Sequence, residues 1–275
     1  MRLRPATRLA GLSPRRRALI AVLALAVVTL AVIGGIVLSG PGSGAVPRDP
    51  SRPGDVLLVP GYGGSTTALA QLAARIRATG RTATVVPPAG DGTGDLRVQA
   101  RVLDGYVNQA LRDGSGPVTV IGYSAGGVVA WLWDADDQGG TRVGRIVTLG
   151  SPLHGANLAA LGAAFVPGEC PVACQQLVPG SALLSALQSL PAAGRPPWLS
   201  LWTTDDQVVQ PPDSARLTGA VNVPLQSVCP GVTIQHGDLP TAPLVVGIVL
   251  RAVRSTTLTA PAPAQCQSLQ SLGRG

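Results

Sequence analysis

Apolar positions along this chain fall into two registers that take turns. Short runs rich in Val, Ile, Leu and Trp occur at 55–59, 82–86, 118–121, 145–149, 198–202 and 221–227. Each reads as a strand. Between them, apolar residues recur at helical spacing over 66–79, 95–112, 125–133 and 181–190, with a closing stretch at 244–253. Pro87-Pro88 stops the second strand, and Asp95 stands where a helix cap belongs. Strands that alternate with helices predict an α/β fold: a mostly parallel sheet, right-handed crossovers and helices on both faces. With one Phe, three Tyr and four Trp in the chain, the core must be built from Val, Leu, Ile and Ala, which suits a mostly parallel sheet buried on both faces.

Two stretches break the alternation. Residues 158–197 hold an apolar small-residue run (158–166), a Cys-bearing loop and the helical stretch from Ser181. An insertion here would lie over the strand ends, where open α/β sheets bind ligands. It reads equally as a lid or acyl-chain wall, or as an ordinary crossover helix. The residues 255–275, rich in Ser, Thr, Pro, Ala and Gln, read as a mobile tail held by Cys266.

The N-terminal part follows another logic. Residues 18–38 form an uncharged apolar segment of 21 residues. As a helix it would be about 31 Å long, against a hydrocarbon core of about 30 Å. Six Arg precede it within residues 1–17, with no acid among them. The reading is a cytoplasmic basic segment (1–17), a transmembrane signal anchor (18–38), a Gly/Pro-rich linker (39–54) and the α/β domain (55–254) outside the cytoplasm. The alternative is a long cleaved signal peptide that releases a secreted body near Val46, since Ser43-Gly44-Ala45 offers a small-x-small site.

Composition changes the picture in three ways. The net charge of +7 is concentrated in the leading Arg cluster; without it, 15 basic residues face 14 acidic ones. A nearly neutral body with no basic stripe excludes nucleic acid as a partner. There is no Lys, so the Gly-rich turn at 61–64 cannot be a P-loop. The four Cys all follow the apolar segment, and an even number in an exported body predicts two disulfides. Three pairings are possible. The reading favours Cys170–Cys174, inside one Pro-bracketed loop, and Cys229–Cys266. Cys-x3-Cys with no nearby His is poor zinc spacing, so no metal is expected.

The chemistry is carried by Val118-Thr119-Val120-Ile121-Gly122-Tyr123-Ser124-Ala125-Gly126-Gly127. A strand runs into Gly-x-Ser-x-Gly, and small apolar residues continue as a helix. That is the context of a nucleophile elbow, where a sharp turn lifts the Ser hydroxyl clear of the sheet. The turn crowds its neighbours, so Gly122 and Gly126 must lack side chains. A free Ser hydroxyl is a poor nucleophile and needs a base and an acid from elsewhere.

Three segments in order resemble the α/β-hydrolase superfamily, and within it compact bacterial lipases and esterases of the triacylglycerol lipase kind. They are Val-Pro-Gly-Tyr-Gly-Gly-Ser (59–65), Gly-Tyr-Ser-Ala-Gly-Gly (122–127) and Thr-Leu-Gly-Ser-Pro-Leu-His-Gly (148–155). The resemblance covers roughly 55–254. It implies an α/β-hydrolase fold, here preceded by one transmembrane helix, and a serine hydrolase that cleaves carboxylic esters, in particular lipids, without a cofactor and as a monomer. It also implies the order Ser, Asp or Glu, His. The base is then His236, because the other His, His154, precedes the last strands and resembles a loop-supporting residue. The acid should follow a late strand, which leaves Asp205 and Asp206. The frame Asp206-Gln207-Val208-Val209 resembles the family's Asp-x-Val-Val and favours Asp206. Asp134, Asp136 and Asp137 read as a solvated helix end. For the oxyanion hole the resemblance implies the backbone N–H groups of Tyr62 and Ala125. Pro60 stands where the family usually has His. Two rival functions use the same scaffold: an acyltransferase, and a non-catalytic envelope-binding protein.

Overall fold

The computed structural model describes residues 54–114, 116–137, 142–165 and 167–275. Six strands form one sheet in the order β2-β1-β3-β4-β5-β6. They are β1 (Val56–Val59), β2 (Ala83–Val85), β3 (Thr119–Tyr123), β4 (Arg145–Leu149), β5 (Trp198–Trp202) and β6 (Val221–Pro224). All five pairings are parallel, with Val56 opposite both Ala83 and Thr119, and Leu149 opposite Leu201. The expected mostly parallel sheet is therefore what forms. Its central strands are buried residue after residue: all of β1 and all of β5 are inaccessible to water. This explains why the runs carry no alternation.

Two apolar layers cover the sheet. One contains α1 (Thr67–Arg77) and α8 (Pro243–Arg254), with Leu72, Ile76, Val245 and Val249 packed on Leu58, Ile121 and Leu201. The other contains α2 (Leu96–Arg112), α3 (Ala125–Asp137) and α6 (Ala182–Gln188), with Leu103, Val128, Trp131 and Leu184 packed on Leu57, Val120 and Ile146. Asp95 caps α2 by accepting a hydrogen bond from the Arg97 N–H. Ser181 caps α6 in the same way through Leu184.

The 158–197 stretch divides between its two readings. Its second half is the crossover helix α6, with Leu183, Leu184 and Leu187 buried. Its first half forms α4 (Asn157–Phe165) and the one-turn α5 (Val172–Gln176), which lie beside the site described below. The last strand is shorter than its apolar run: after Pro224 the chain turns into a short helix, α7 (Leu225–Val228). Asp134 is also not a solvated helix end. It is buried, and its charge faces Arg195.

The C-terminal segment is not a loose tail. Cys266–Arg274 form α9, which packs along α8. The helices touch backbone to backbone. A Cβ on Gly247 would lie 1.9 Å from the Leu269 carbonyl oxygen, and one on Gly273 would lie 1.8 Å from that of Pro243. The segment lacks an apolar run because its docking uses Leu269, two glycines and the Cys229–Cys266 disulfide. The second disulfide joins Cys170 to Cys174, so both bridges form as the sequence reading favours.

Among the described residues, no helix is long and apolar enough to cross a membrane. The basic segment (1–17), the anchor (18–38) and all of the linker (39–54) except Gly54 lie outside the described residues.

Substituting Gly247 by Ala is expected to destabilise the domain by about 1–3 kcal/mol, because the added methyl must push α9 off α8. Urea denaturation of the variant beside wild type measures this. Equal midpoints would mean that the helix contact yields without cost.

Candidate active site

Ser124 stands at the C-terminal end of β3, on the turn into α3. Its φ is +53°, the one positive value outside glycine among the described residues. Such a backbone costs of the order of 1–3 kcal/mol and persists only where its surroundings dictate it. They do so here through close backbone approach. A Cβ on Gly122 would lie 2.5 Å from the Gly126 carbonyl oxygen, and one on Gly126 would lie 2.3 Å from that of Val59. No side chain fits at either place, as the motif requires.

Two further loops meet Ser124 from the same end of the sheet. The loop after β5 brings Asp206, and the loop before α8 brings His236 in a short 3-10 turn, His236–Asp238. The His236 Nε2 lies 3.0 Å from the Ser124 Oγ, and its Nδ1 lies 2.7 Å from the Asp206 Oδ2. A carboxylate accepts, so Nδ1 carries the proton and Nε2 is left to accept from the Ser hydroxyl. Asp206 is 1% exposed and His236 5%. The second oxygen of Asp206 accepts from the Val208 and Val209 N–H groups at 2.9 and 2.7 Å. These bonds fix the carboxylate plane and compensate its burial.

Asp205 faces another way. It is exposed, and its Oδ2 accepts from the Ile234 N–H at 3.2 Å and from Gln226 Nε2 at 3.1 Å. It therefore ties the loop before His236 to the loop after β5. The buried Thr203 does the same by donating to the Ile234 carbonyl at 2.7 Å. Gln207 adds a third tie by accepting from the His236 N–H at 3.4 Å. The sequence offered Asp205 only as a candidate acid and Gln207 only as part of the Asp206 frame; no pattern marked the ties themselves, which exist only once the two loops meet.

Tyr123, the variable residue of the motif, also contributes. Its hydroxyl donates to the His236 carbonyl at 3.2 Å, and the two rings lie 5.3 Å apart. Burial first, then the carboxylates of Asp206 and Asp238, push its hydroxyl up to about 12. The phenol therefore stays a neutral donor at any working pH. His154 belongs elsewhere. It is exposed, and both its N–H and its Nδ1 bond the Ser214 carbonyl, at 3.0 and 3.1 Å. This is the loop-supporting position expected of it.

The turn at 61–64 folds over the serine. A Cβ on Gly61 would lie 2.9 Å from the Ser124 Cβ, so backbone passes directly against it. The Gly64 N–H closes the turn on the Gly61 carbonyl, and the Gly63 N–H bonds the Gly92 carbonyl. Among the described residues, the N–H groups of Tyr62 and Ala125 have no carbonyl partner outside their own elements. Tyr62 and Ser124 also share an apolar cavity of about 170 Å³ with residues from the 152–159 stretch, α5 and the loop after Asp206.

No family model matches the chain, and no curated protein matches it by sequence. Solved structures do match. Aspergillus fumigatus lipase B is similar at 16% identity with a TM-score of 0.65, over 83% of this chain and 59% of that one. A structure described with the metagenome-derived lipolytic enzymes LipS and LipT is similar at 19% identity with a TM-score of 0.58, over 78% and 98% of the two chains. Phospholipase PlaB from Legionella pneumophila is similar at 16% identity with a TM-score of 0.57, over 80% and 60%. The chain thus spans about three fifths of the Aspergillus and Legionella chains. It has the α/β-hydrolase fold.

Thr203→Val is expected to cost about 1–3 kcal/mol, because the Ile234 carbonyl loses a buried donor. Thermal unfolding tests it. An unchanged midpoint would show that the two loops are held together without this bond.

Proposed function

We propose that this protein is a serine hydrolase that cleaves carboxylic esters, in particular lipid esters. The observation that carries the reading is the hydrogen-bonded chain from Ser124 through His236 to Asp206, on an elbow whose strained turn aims the hydroxyl at an apolar cavity. His236 takes the proton of Ser124 as its oxygen attacks the ester carbonyl. Asp206 holds the imidazole in the required tautomer and stabilises the imidazolium that forms. The N–H groups of Tyr62 and Ala125 receive the oxyanion; removal of one such donor typically costs about 10²–10³ in turnover. As the tetrahedral intermediate collapses, His236 gives its proton to the leaving alcohol. Water, activated by the same imidazole, then releases the acid.

The neighbours support the substrate class by what they are: a lipase, lipolytic enzymes and a phospholipase. Two disulfides fit an oxidising compartment outside the cytoplasm. With an anchor at 18–38 the hydrolase would work at the outer face of the membrane that holds it, as a monomer.

Ser124→Ala should lower turnover of a p-nitrophenyl ester by roughly 10⁴-fold or more in a folded protein. Retention of more than a few per cent of wild-type turnover would end the proposal. The paired carboxylates give a sharper comparison. Asp206→Asn should also lose roughly 10⁴-fold, because Asn favours the wrong imidazole tautomer. Asp205→Asn keeps an oxygen for the Ile234 N–H and should stay within roughly an order of magnitude of wild type. Equal losses would mean that the acid has been misassigned.

A further inference from the structure

We infer that the cavity beside Ser124 makes this a hydrolase of short to medium acyl chains, with room for about six carbons. The inference rests on the ester-hydrolase reading and names its substrate class. The cavity is about 170 Å³. An apolar protein cavity of about 150 Å³ accommodates benzene, a ligand of six carbons. Pro152, Ala156, Ala159, Leu177, Val208 and Val209 line it, and none of them carries a polar side chain. A chain of methylenes fits such a wall better than a polar head group does.

The wall is held in place. Leu177 caps α5, a helix of five residues that is too short to be stable alone. Five ties fix it. The Cys170–Cys174 bridge closes its turn. The Ala173 N–H donates to the Thr93 carbonyl at 3.1 Å. The Gln176 amide donates to Asp95 at 2.6 Å and accepts from the Leu96 N–H at 2.8 Å. The Ala156 N–H donates to the Leu177 carbonyl at 3.0 Å. Swelling the cavity for a longer chain would break several of these bonds together. Leu158, 57% exposed, and Tyr62, 44% exposed, form the open rim of the cavity, so the further carbons of a chain that outgrows it stay in water.

The consequence is a turning point in chain-length dependence. Each methylene buried in the cavity should raise kcat/KM roughly fourfold. Carbons beyond the cavity should add little. The test is kcat/KM of the full-length chain on p-nitrophenyl acetate, butyrate, hexanoate, octanoate, decanoate and laurate, each below its solubility limit. A steep rise to hexanoate or octanoate, then a plateau or a fall, is the expected result. A rise that continues through laurate, or no rise from acetate, overturns the inference. Ala159→Leu adds three carbons to the wall. It should lower the hexanoate-to-acetate ratio of kcat/KM by about tenfold or more and move the turning point towards butyrate. If that variant does not fold by circular dichroism, Val208→Ala supplies the opposite shift, towards octanoate or decanoate. An unchanged ratio in the folded variant overturns the inference. Hydrolysis of no member of the series by folded wild type overturns the ester-hydrolase reading together with this one, whereas hydrolysis without a turning point overturns this one alone.

Discussion

Ser124 occupies a backbone conformation that serine does not choose for itself, and the rest of the site depends on it. At φ +53° the hydroxyl leaves the plane of the sheet and reaches the His236 Nε2 at 3.0 Å. The strain of about 1–3 kcal/mol is held by a large parallel sheet on one side and by α3 on the other. β3 is central, with β1 and β4 hydrogen-bonded on either side of it. α3 begins at the residue after the serine and buries Val128, Trp131 and Trp133. A turn gripped by a buried strand and a buried helix cannot relax without moving both.

The other two members of the hydrogen-bonded chain sit on loops, which need a different kind of support. No secondary structure holds Asp206 or the segment before His236, so side chains do. Thr203, Asp205, Gln207 and Gln226 stitch the two loops to each other, and Tyr123 reaches across from the elbow. Behind them, α8 starts a few residues after His236, and α9 is packed on α8 by glycine contact and tied by the Cys229–Cys266 disulfide to the end of α7. The C-terminal segment thereby braces the helix that follows the His236 loop, although it contributes no residue to the site.

Much of this could be read in the sequence, for identifiable reasons. Strands buried on both faces write short runs dominated by large apolar residues, so β4 and β5 were legible to the residue even with Thr148 and Ser200 inside them. The elbow was legible because its chemistry demands glycine at fixed offsets, and Asp206, the carboxylate that bonds His236, stood out in the sequence because it heads a recognisable frame. Most of what escaped depends on contacts between distant segments. α9 is mostly polar, and it docks through one leucine, Leu269, and one glycine, Gly273, which leave no periodic signature. β6 ended early because Pro224 leads straight into α7. Asp134 looked solvated because Arg195, the charge it faces, is 61 residues away in the chain. The loop stitching by Thr203 and Gln226 has no local signal of any kind.

The central claim is that Ser124 is a nucleophile activated by His236. Covalent labelling with a fluorophosphonate, followed by peptide mass spectrometry, tests it most directly, because it needs neither the natural substrate nor a membrane. The account requires one phosphonyl adduct, on the peptide carrying Ser124, formed rapidly in wild type and suppressed by His236→Ala while His154→Ala still labels. A folded protein that takes up no label, or one labelled on a different residue, would contradict it.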